Sequence, residues 1–494
     1  MDIKQATLSG VSWNLVARLG QQLAQFIISI ILAHLLMPND FGIVAMAMVL
    51  VNFARLFSEQ GFSSALIQSQ NLRPAHLHSI FWLNVALGAV LTALFFGAAP
   101  LAAKLYNLPK LSLLVRVLAF DFIISAFAIV PRALLQKQLA FKKMAILEIA
   151  ATTASGAVAI ILACRGFGIW SLIFNSLGLS LFTVGLVWRL TNWRPRLICE
   201  IQALRELLSF SLNVIGFNTI NFWARNVDNL LIGRLLGPAH LGIYARAYGL
   251  MLLPISQISS VLGRVMFPVL STIQEEPQRI KKIYLEAMGT ISLVASPLML
   301  GLLVTARPFV MTIYGVRWIE MVPLLQILSV VGLLQALMNP TGWIYMSCGR
   351  TDRMFKMGLL SCTGLILAIA LGVWIGTTKA VAISYAVANV ALFYPVIMIP
   401  GKLIKMKFQE LLKEVAGPIL SSAIMAAALL SLKPVLIPDS PDWVVLLAQV
   451  LFGAALYGAL LQLFHVRAYH KARGLLAERW LKYWERRNAV INFS

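Results

Sequence analysis

Long apolar segments, separated by short polar connections, recur along nearly the whole chain. A helix of about 20 apolar residues spans the roughly 30 Å hydrocarbon layer of a membrane. Because backbone groups within that layer need hydrogen-bond partners in the protein itself, we expect these segments to be α-helices. Fourteen spans are predicted, at about 14–36, 41–58, 79–101, 111–131, 144–164, 169–188, 207–233, 241–268, 287–306, 322–346, 355–375, 379–400, 416–432 and 443–465. Twelve spans is the alternative count, since the segments 41–58 and 416–432 are the shortest.

A nine-residue pattern occurs twice, 200 residues apart, at the connection between two predicted spans. Residues 35–43 read LLMPNDFGI and residues 235–243 read LLGPAHLGI. Proline ends one helix and glycine permits a tight connection to the next. The period contains six spans, an even number, so the two copies share their orientation in the membrane. This parallel repeat is typical of secondary transporters.

The predicted fold is an all-α integral membrane protein with about 14 transmembrane helices. Two six-helix lobes form a parallel repeat, one at 1–200 and the other at 201–400. Two additional transmembrane helices within 401–465 have no counterpart in the repeat. Residues 466–494 form a basic cytoplasmic tail, either as an amphipathic helix on the inner leaflet or as a solvated segment.

Composition and charge agree with a membrane protein. Hydrophobic residues make up 60% of the chain and charged residues 12%, with a formal net charge of +22. Most loop Lys and Arg residues fall on one side of the predicted topology, which by the positive-inside rule places both termini in the cytoplasm. The charge therefore reflects topology and does not predict nucleic-acid binding.

Polar residues form one stripe on the first predicted span and a matching stripe on the seventh. The first consists of Asn14, Arg18, Gln21, Gln22, Gln25 and Ser29, and the second of Asn218, Asn221, Arg225, Asp228 and Asn229. The spacings of three and four place each set on one helix face. The 200-residue offset superposes the two stripes, so we expect them to line a hydrophilic cavity. The alternative is that these side chains tie neighbouring helices together.

Arginines within the spans favour an anionic substrate, because a guanidinium holds phosphate or carboxylate with paired hydrogen bonds. The amides of the stripes suit hydroxyl-rich ligands such as sugars. The predicted substrate-binding residues are Arg18, Gln21, Gln25, Arg55, Arg116, Asn218, Asn221, Arg225, Asn229 and Arg246.

Four carboxylates within or near the spans are candidates for ion coupling, since an intramembrane carboxylate can titrate near neutral pH. They are Asp121, Asp228, Glu59 and Glu148. Asp121 is the first candidate because no basic residue lies one turn away on its helix. The spacings of Arg55 with Glu59 and of Arg225 with Asp228 also allow structural ion pairs. No cofactor is predicted; the driving gradient, proton or sodium, stays open.

Sequence motifs typical of enzymes do not occur. There is no phosphate-binding Walker loop, no His/Cys metal cluster and no nucleophile elbow. We therefore predict no catalytic residues and no metal site, and we exclude a self-contained ATP-driven pump.

Seven short motifs, in order along the chain, resemble those of the Wzx-type polysaccharide transporters. They are GVSW at 10–13, ILAHLLMPNDFG at 31–42, QGFSSALIQ at 60–68, GFGIWSL at 166–172, RNVDNLLIG at 225–233, GIYARAY at 242–248 and CGRTD at 348–352. The chain is most similar to the colanic-acid exporter branch of this family, within the multidrug/oligosaccharidyl-lipid/polysaccharide exporter superfamily. His34 stands where the family more often shows Arg.

The resemblance implies a flippase of the bacterial inner membrane. Its implied substrate is an undecaprenyl-diphosphate-linked oligosaccharide, moved by alternating access for exopolysaccharide or lipopolysaccharide synthesis. Implied partners are membrane lipid and other polysaccharide-assembly proteins. The alternatives are a cation-coupled multidrug exporter of the same superfamily and a membrane polymerase or ligase acting on lipid-linked sugars. Short outer loops argue against an enzyme that presents its reacting site outside the membrane.

Overall fold

A computed structural model describes residues 3–68, 73–198, 200, 219, 222–223, 226–436, 440–471 and 473–474. Within these residues all regular secondary structure is helical. Twelve of the described helical segments are long and apolar enough to cross a membrane. The predicted all-α, multi-pass membrane protein is confirmed.

The described residues contain fifteen α-helices, numbered in chain order. They are α1 (Ile3–Leu35), α2 (Pro38–Gln68), α3 (Pro74–Tyr106), α4 (Lys110–Lys137), α5 (Phe141–Cys164), α6 (Ile169–Leu190), α7 (described over 226–235), α8 (Pro238–Ser271), α9 (Pro277–Ile313), α10 (Met321–Met338), α11 (Thr341–Ser347), α12 (Thr351–Trp374), α13 (Thr378–Gly401), α14 (Phe408–Leu436) and α15 (Asp442–Leu463).

The helices follow the predicted order of spans. Two predicted spans are not among the twelve segments: much of 207–233 lies outside the described residues, and 241–268 lies within α8. Helices α10 and α11 together make one of the twelve, Met321–Ser347. The two additional predicted spans near the C-terminus are α14 and α15.

Proline marks where several of these helices begin. Pro38, Pro74, Pro238 and Pro277 are the first residues of α2, α3, α8 and α9. The first helical position suits proline because its missing N–H would have no partner there and its backbone angle is already helical. The local sequence therefore determines these boundaries without help from tertiary contacts.

The described contacts divide into two compact units, one within Met1–Ala245 and the other within Arg246–Ser494. The predicted lobe boundary after residue 200 adjoins residues that are not described, so the predicted lobes 1–200 and 201–400 stay predictions. The same holds for most of the predicted tail 466–494.

Small residues bring the helices of the first unit close together. On α3, a methyl group added to Gly88 would come within 2.7 Å of the Phe122 carbonyl oxygen on α4. One turn further along, the Thr92 hydroxyl donates to the Ala119 carbonyl oxygen at 2.9 Å. Close approach at glycine and interhelical hydrogen bonds are how helices associate in lipid, where the hydrophobic effect offers little between apolar surfaces.

Helix α9 holds the two additional helices in the second unit. The Ser296 hydroxyl on α9 lies 2.9 Å from the Ser422 hydroxyl on α14. The Tyr457 hydroxyl on α15 donates to the Leu293 carbonyl oxygen on α9 at 2.9 Å. Because both hydrogen bonds end on neighbouring turns of α9, this one helix positions α14 and α15.

The two copies of the repeated pattern are in direct contact within the first unit. A methyl group added to Gly42 would overlap the Pro238 carbonyl oxygen, and one added to Gly242 would overlap the Pro38 carbonyl oxygen. The contact is reciprocal, so the first turns of α2 and α8 pack backbone against backbone. Only glycine permits this approach, which explains why it stands at the same place in both copies.

Candidate functional site

Helix α1 presents a face of exposed and half-buried polar side chains. Arg18 and Gln25 are exposed and Gln21 is half-buried. Val16 and Ile27, also exposed, are apolar and suited to lipid. Val16 and Gln25 are nine residues apart, as are Arg18 and Ile27, and nine residues make about two and a half helical turns.

Arg18 and Gln25 therefore lie on the opposite side of α1 from Val16 and Ile27. A helix with lipid on one side and polar groups open on the other suits the wall of a water-filled space. This supports the cavity interpretation of the stripe over the alternative that its residues only tie helices together. Gln22 and Ser29 do have partners within the described structure.

A polar cluster within the membrane-spanning part of the first unit joins α2, α4 and α6. The Arg55 guanidinium donates from Nε and Nη2 to Asp121 Oδ2, at 2.9 and 2.6 Å. The Ser180 hydroxyl donates to the other oxygen, Asp121 Oδ1, at 2.6 Å. The Asp121 side chain is fully buried, whereas Arg55 is 25% exposed.

Asp121 has no basic residue one turn away on α4, so its basic partner comes from another helix. This contact with Arg55 spans 66 residues of sequence and joins α4 to α2. It also shows that Arg55 is engaged by a carboxylate other than Glu59, whose side chain lies outside the described residues. Arg55 and Asp121, predicted for different roles, form one cluster.

Glu148 pairs with Arg132, and this pair differs from the first in its environment. Arg132 Nη2 lies 2.8 Å from Glu148 Oε1, with the two side chains 45% and 22% exposed. Water screens such a pair and limits what it contributes. Among the predicted coupling carboxylates, Glu148 is thus the more solvated and Asp121 the more buried.

Asp228 is buried at the beginning of the described part of α7. Its Oδ1 accepts from the backbone N–H of Asn229 at 2.8 Å, and Tyr244 Oη lies 3.4 Å from Oδ2. The Asn229 side chain is half-buried. Asn218, Asn221 and Arg225, the rest of the second stripe's predicted binding residues, lie outside the described residues and stay predictions.

The remaining predicted arginines occupy different surroundings. Arg116 on α4 places its guanidinium 5.2 Å from the ring centroid of Phe96, and its buried Nε has no hydrogen-bond partner in the described structure. Arg246 is half-buried near the beginning of α8 and has partners of its own. Substrate contact by Arg116 and Arg246 stays a prediction.

Sequence analysis missed an uncharged polar cluster in the second unit. Gln335 Nε2 donates to Tyr385 Oη at 2.8 Å, and Tyr248 Oη lies 3.4 Å from the same oxygen. These residues lie on α10, α13 and α8, which correspond in the repeat to α4, α6 and α2. The 200-residue offset pairs Ser180 with Ala380, so the repeat does not signal either Ser180 or this cluster.

The fold is that of a known class of multi-pass membrane transporters. A structure of the lipid II flippase MurJ in an inward closed conformation matches with a TM-score of 0.72 at 14% identity, covering 92% of this chain and 99% of that one. An inward-facing multidrug resistance MATE family transporter of the MOP superfamily matches with a TM-score of 0.62 at 16% identity, covering 78% of this chain and 94% of that one. At these sequence identities the matches show a similar fold and nothing more.

The chain belongs to the family described as polysaccharide biosynthesis protein, whose model matches residues 31–323. The teichuronic acid biosynthesis protein TuaB of Bacillus subtilis is 29% identical over 427 residues, 86% of this chain and 88% of the relative. The lipopolysaccharide biosynthesis protein WzxC of Escherichia coli is 27% identical over 388 residues, 75% of this chain and 76% of the relative. The succinoglycan biosynthesis transport protein ExoT of Rhizobium meliloti is 27% identical over 320 residues, 65% of both chains.

Proposed function

We propose that the protein is a flippase that moves a lipid-linked oligosaccharide across the bacterial inner membrane for polysaccharide synthesis. Membership of the polysaccharide biosynthesis family supports the pathway, and the transporter fold supports translocation rather than enzymatic chemistry. The observation that carries the proposal is α1, with its exposed polar face opposite its exposed apolar face. A polar glycan requires such a passage while its lipid tail stays among the acyl chains.

Arg18 is the residue of this face best suited to the acidic part of the substrate. It is exposed, and a guanidinium binds a diphosphate through paired hydrogen bonds. Gln21 and Gln25, on the same face, offer amides to sugar hydroxyls. In the proposed mechanism the diphosphate-linked glycan enters from the cytoplasm and the protein then opens to the outside, as in alternating access.

The multidrug-exporter alternative has less support. The fold matches the MurJ structure as well as the MATE structure and so does not favour a multidrug exporter, whereas the family match is specific to polysaccharide biosynthesis. An anion-binding face on α1 is also unsuited to apolar cations. The flippase proposal includes three further features. They are an undecaprenyl carrier, partner proteins of polysaccharide assembly and a location in the inner membrane.

A test combines cellular export with translocation of a defined lipid-linked sugar in reconstituted vesicles. We expect Arg18→Ala to reduce both strongly and the Arg18→Ala, Arg225→Ala double variant to abolish them. Folding should be unaffected by Arg18→Ala because its side chain is exposed, and an unchanged melting temperature checks this. Arg279→Ala removes the same charge at a site 60% exposed and serves as the matched control. Normal translocation by the double variant would refute the role assigned to this face.

A further inference from the structure

The chain that follows α6 folds back over the beginning of α3. Residues 191–198 of this connection, called the linker below, are not helical. The Trp82 indole N–H donates to the Arg196 carbonyl oxygen at 2.9 Å, and the Arg196 backbone N–H donates to His78 Nδ1 at 3.0 Å. Trp193 stacks on the His78 ring, with 5.4 Å between the ring centroids. Polar and aromatic contacts together hold the linker against α3.

Exposed and covered side chains alternate along the linker. Asn192, Arg194 and Arg196 are exposed, whereas Trp193 and Pro195 are half-buried. This alternation is that of an extended chain covered on one side, and proline favours an extended backbone at the residue before it. Side chains two positions apart in an extended chain begin about 7 Å from each other. The two guanidinium groups can therefore reach the same phosphate.

The Arg194 guanidinium is held in place with one bonding edge left open. Its Nη1 donates to the carbonyl oxygens of Thr191 and Trp193, each at 2.9 Å, and its Cζ lies 5.4 Å from the ring centroid of Trp188. Among the described contacts, its Nε and Nη2 groups have no acceptor. Arg55 uses these same two nitrogens to hold its carboxylate partner. A phosphate therefore meets a preorganised pair of donors, and little side-chain freedom is lost on binding.

The surface around the linker has an excess of positive charge. The Arg189 and Arg196 side chains are exposed, and neither forms an ion pair with the described residues. The acid nearest in sequence is Glu200, which is also exposed and whose backbone N–H donates to Ser79 Oγ at 2.8 Å. Residues 189–200 thus contain three arginines and one acid, and an anion is favoured there.

The linker lies at the depth of the lipid headgroups. Helix α3 has 33 residues, about 50 Å at 1.5 Å per residue, and so extends beyond a hydrocarbon layer of roughly 30 Å. His78 and Trp82, which hold the linker, are within about 12 Å of its first residue, Pro74. Tryptophan is enriched at this level of the membrane. Leu197 is 88% exposed, which suits the boundary between headgroups and acyl chains.

We propose that the linker binds the headgroup of an anionic phospholipid, whose phosphate is held by the open edge of Arg194 and by Arg196. Leu197 inserts among the acyl chains beside it. The excess of basic residues places the linker at the cytoplasmic leaflet, whose surface is negative. The site is formed by α3, α6 and the linker, apart from the polar face of α1, and does not rest on the proposed flippase function.

The fixed guanidinium distinguishes this site from a simple topological charge. Lysine and arginine serve equally in orienting a membrane protein, so orientation requires no particular geometry. Holding a phosphate through paired hydrogen bonds does require it, because the planar guanidinium offers two parallel N–H groups and the lysine ammonium does not. Arg194→Lys therefore separates the two roles.

Quenching of tryptophan fluorescence by brominated lipids tests the site, because Trp188 and Trp193 lie against it. The purified full-length protein is reconstituted in phosphatidylcholine vesicles with rising fractions of brominated phosphatidylglycerol or, as the neutral lipid, brominated phosphatidylcholine. We expect the wild-type protein to prefer the anionic lipid, and Arg194→Lys to weaken that preference roughly five- to tenfold. Arg279→Lys, at an exposed arginine paired with Glu276, should behave as wild type. Equal preference in the wild type and Arg194→Lys would overturn the proposal.

Arg196→Gln keeps the test decisive if Arg194→Lys does not fold. Arg196 holds the linker through its backbone, so this variant should keep the melting temperature and lose part of the preference for phosphatidylglycerol. An unchanged preference in a folded Arg196→Gln protein would refute the site.

Competitors distinguish the possible sources of the phosphate. Neither undecaprenyl diphosphate, in an amount equal to that of phosphatidylglycerol, nor inorganic phosphate should displace the anionic lipid. Displacement by the first would assign the linker to the transported substrate, and displacement by the second would assign it to a free anion. Either result would overturn the lipid site. Failed translocation with intact preference for phosphatidylglycerol would refute the flippase and leave the lipid site standing.

Discussion

At the scale of single residues, solvent exposure decides how much an ion pair contributes to stability. Arg55–Asp121 and Arg132–Glu148 have similar lengths, 2.6 and 2.8 Å, but Asp121 is fully buried and Arg132 is nearly half exposed. Removing one partner of a buried pair leaves an uncompensated charge, which is costly. Removing one partner of a solvated pair leaves a charge that water stabilises. Removing one partner should therefore destabilise the protein more at Arg55–Asp121 than at Arg132–Glu148.

Glu148→Gln is expected to lower the free energy of unfolding by roughly 0.2–1 kcal/mol, since water screens its pair with Arg132. Thermal unfolding in detergent, with Arg132→Gln and the double variant completing a thermodynamic cycle, measures the coupling between the two side chains. Export should persist in Glu148→Gln. Loss of export with unchanged stability would instead indicate that Glu148 is needed for transport.

The sequence predicted which polar residues lie within the membrane but not which of them contact each other. Spacing along one helix suggested Arg55 with Glu59, because residues four apart share a face. A described partner of Arg55 is Asp121, brought to it by the packing of α2 against α4, while the Arg55–Glu59 pair stays a prediction. Ser180 was not predicted at all, since a lone serine in an apolar span gives no local signal.

At the scale of helices, the first turns of α2 and α8 depend on glycine. Gly42 and Gly242 each face a carbonyl oxygen of the other turn, Pro238 and Pro38 respectively. The repeat predicted that the two turns are alike, and the structure adds that they touch. A Cβ atom at either position requires the backbones to move apart.

Gly42→Ala and Gly242→Ala should each destabilise this contact by about 1–3 kcal/mol, as overpacking does in protein interiors. The matched control is Gly249→Ala on α8, where an added methyl group meets nothing within 4 Å. Because alanine favours helix more than glycine, by about 1 kcal/mol, the control should be neutral or slightly stabilised. Melting temperatures of the three variants check this, and equal values would contradict the backbone contact.

At the scale of the whole molecule, the order of helices implies an orientation in the membrane. The loop between α4 and α5 contains Leu139, and the loop between α5 and α6 contains Gly166. The excess of basic residues in alternate loops places the first of these loops in the cytoplasm and the second outside. Both termini are then expected in the cytoplasm.

Alkaline phosphatase fusions check this orientation, since that enzyme needs disulfides that form outside the cytoplasm. A fusion after Gly166 should be active, and fusions after Leu139 or at the C-terminus should be inactive. Green fluorescent protein at the C-terminus should give the reciprocal result and fluoresce. An active phosphatase at the C-terminus would reverse the assigned orientation.

The sequence by itself determined the helices, their order, the repeated turn and the polar face of α1. These follow from hydropathy, proline positions and a periodicity of 3.6 residues, which act over one or two turns of chain. Only the tertiary structure decided that Asp121 receives Arg55 and Ser180, that the two glycine turns touch and that α9 holds α14 and α15. Those contacts join residues 59 to 204 positions apart, and helix packing that local sequence does not encode brings them together.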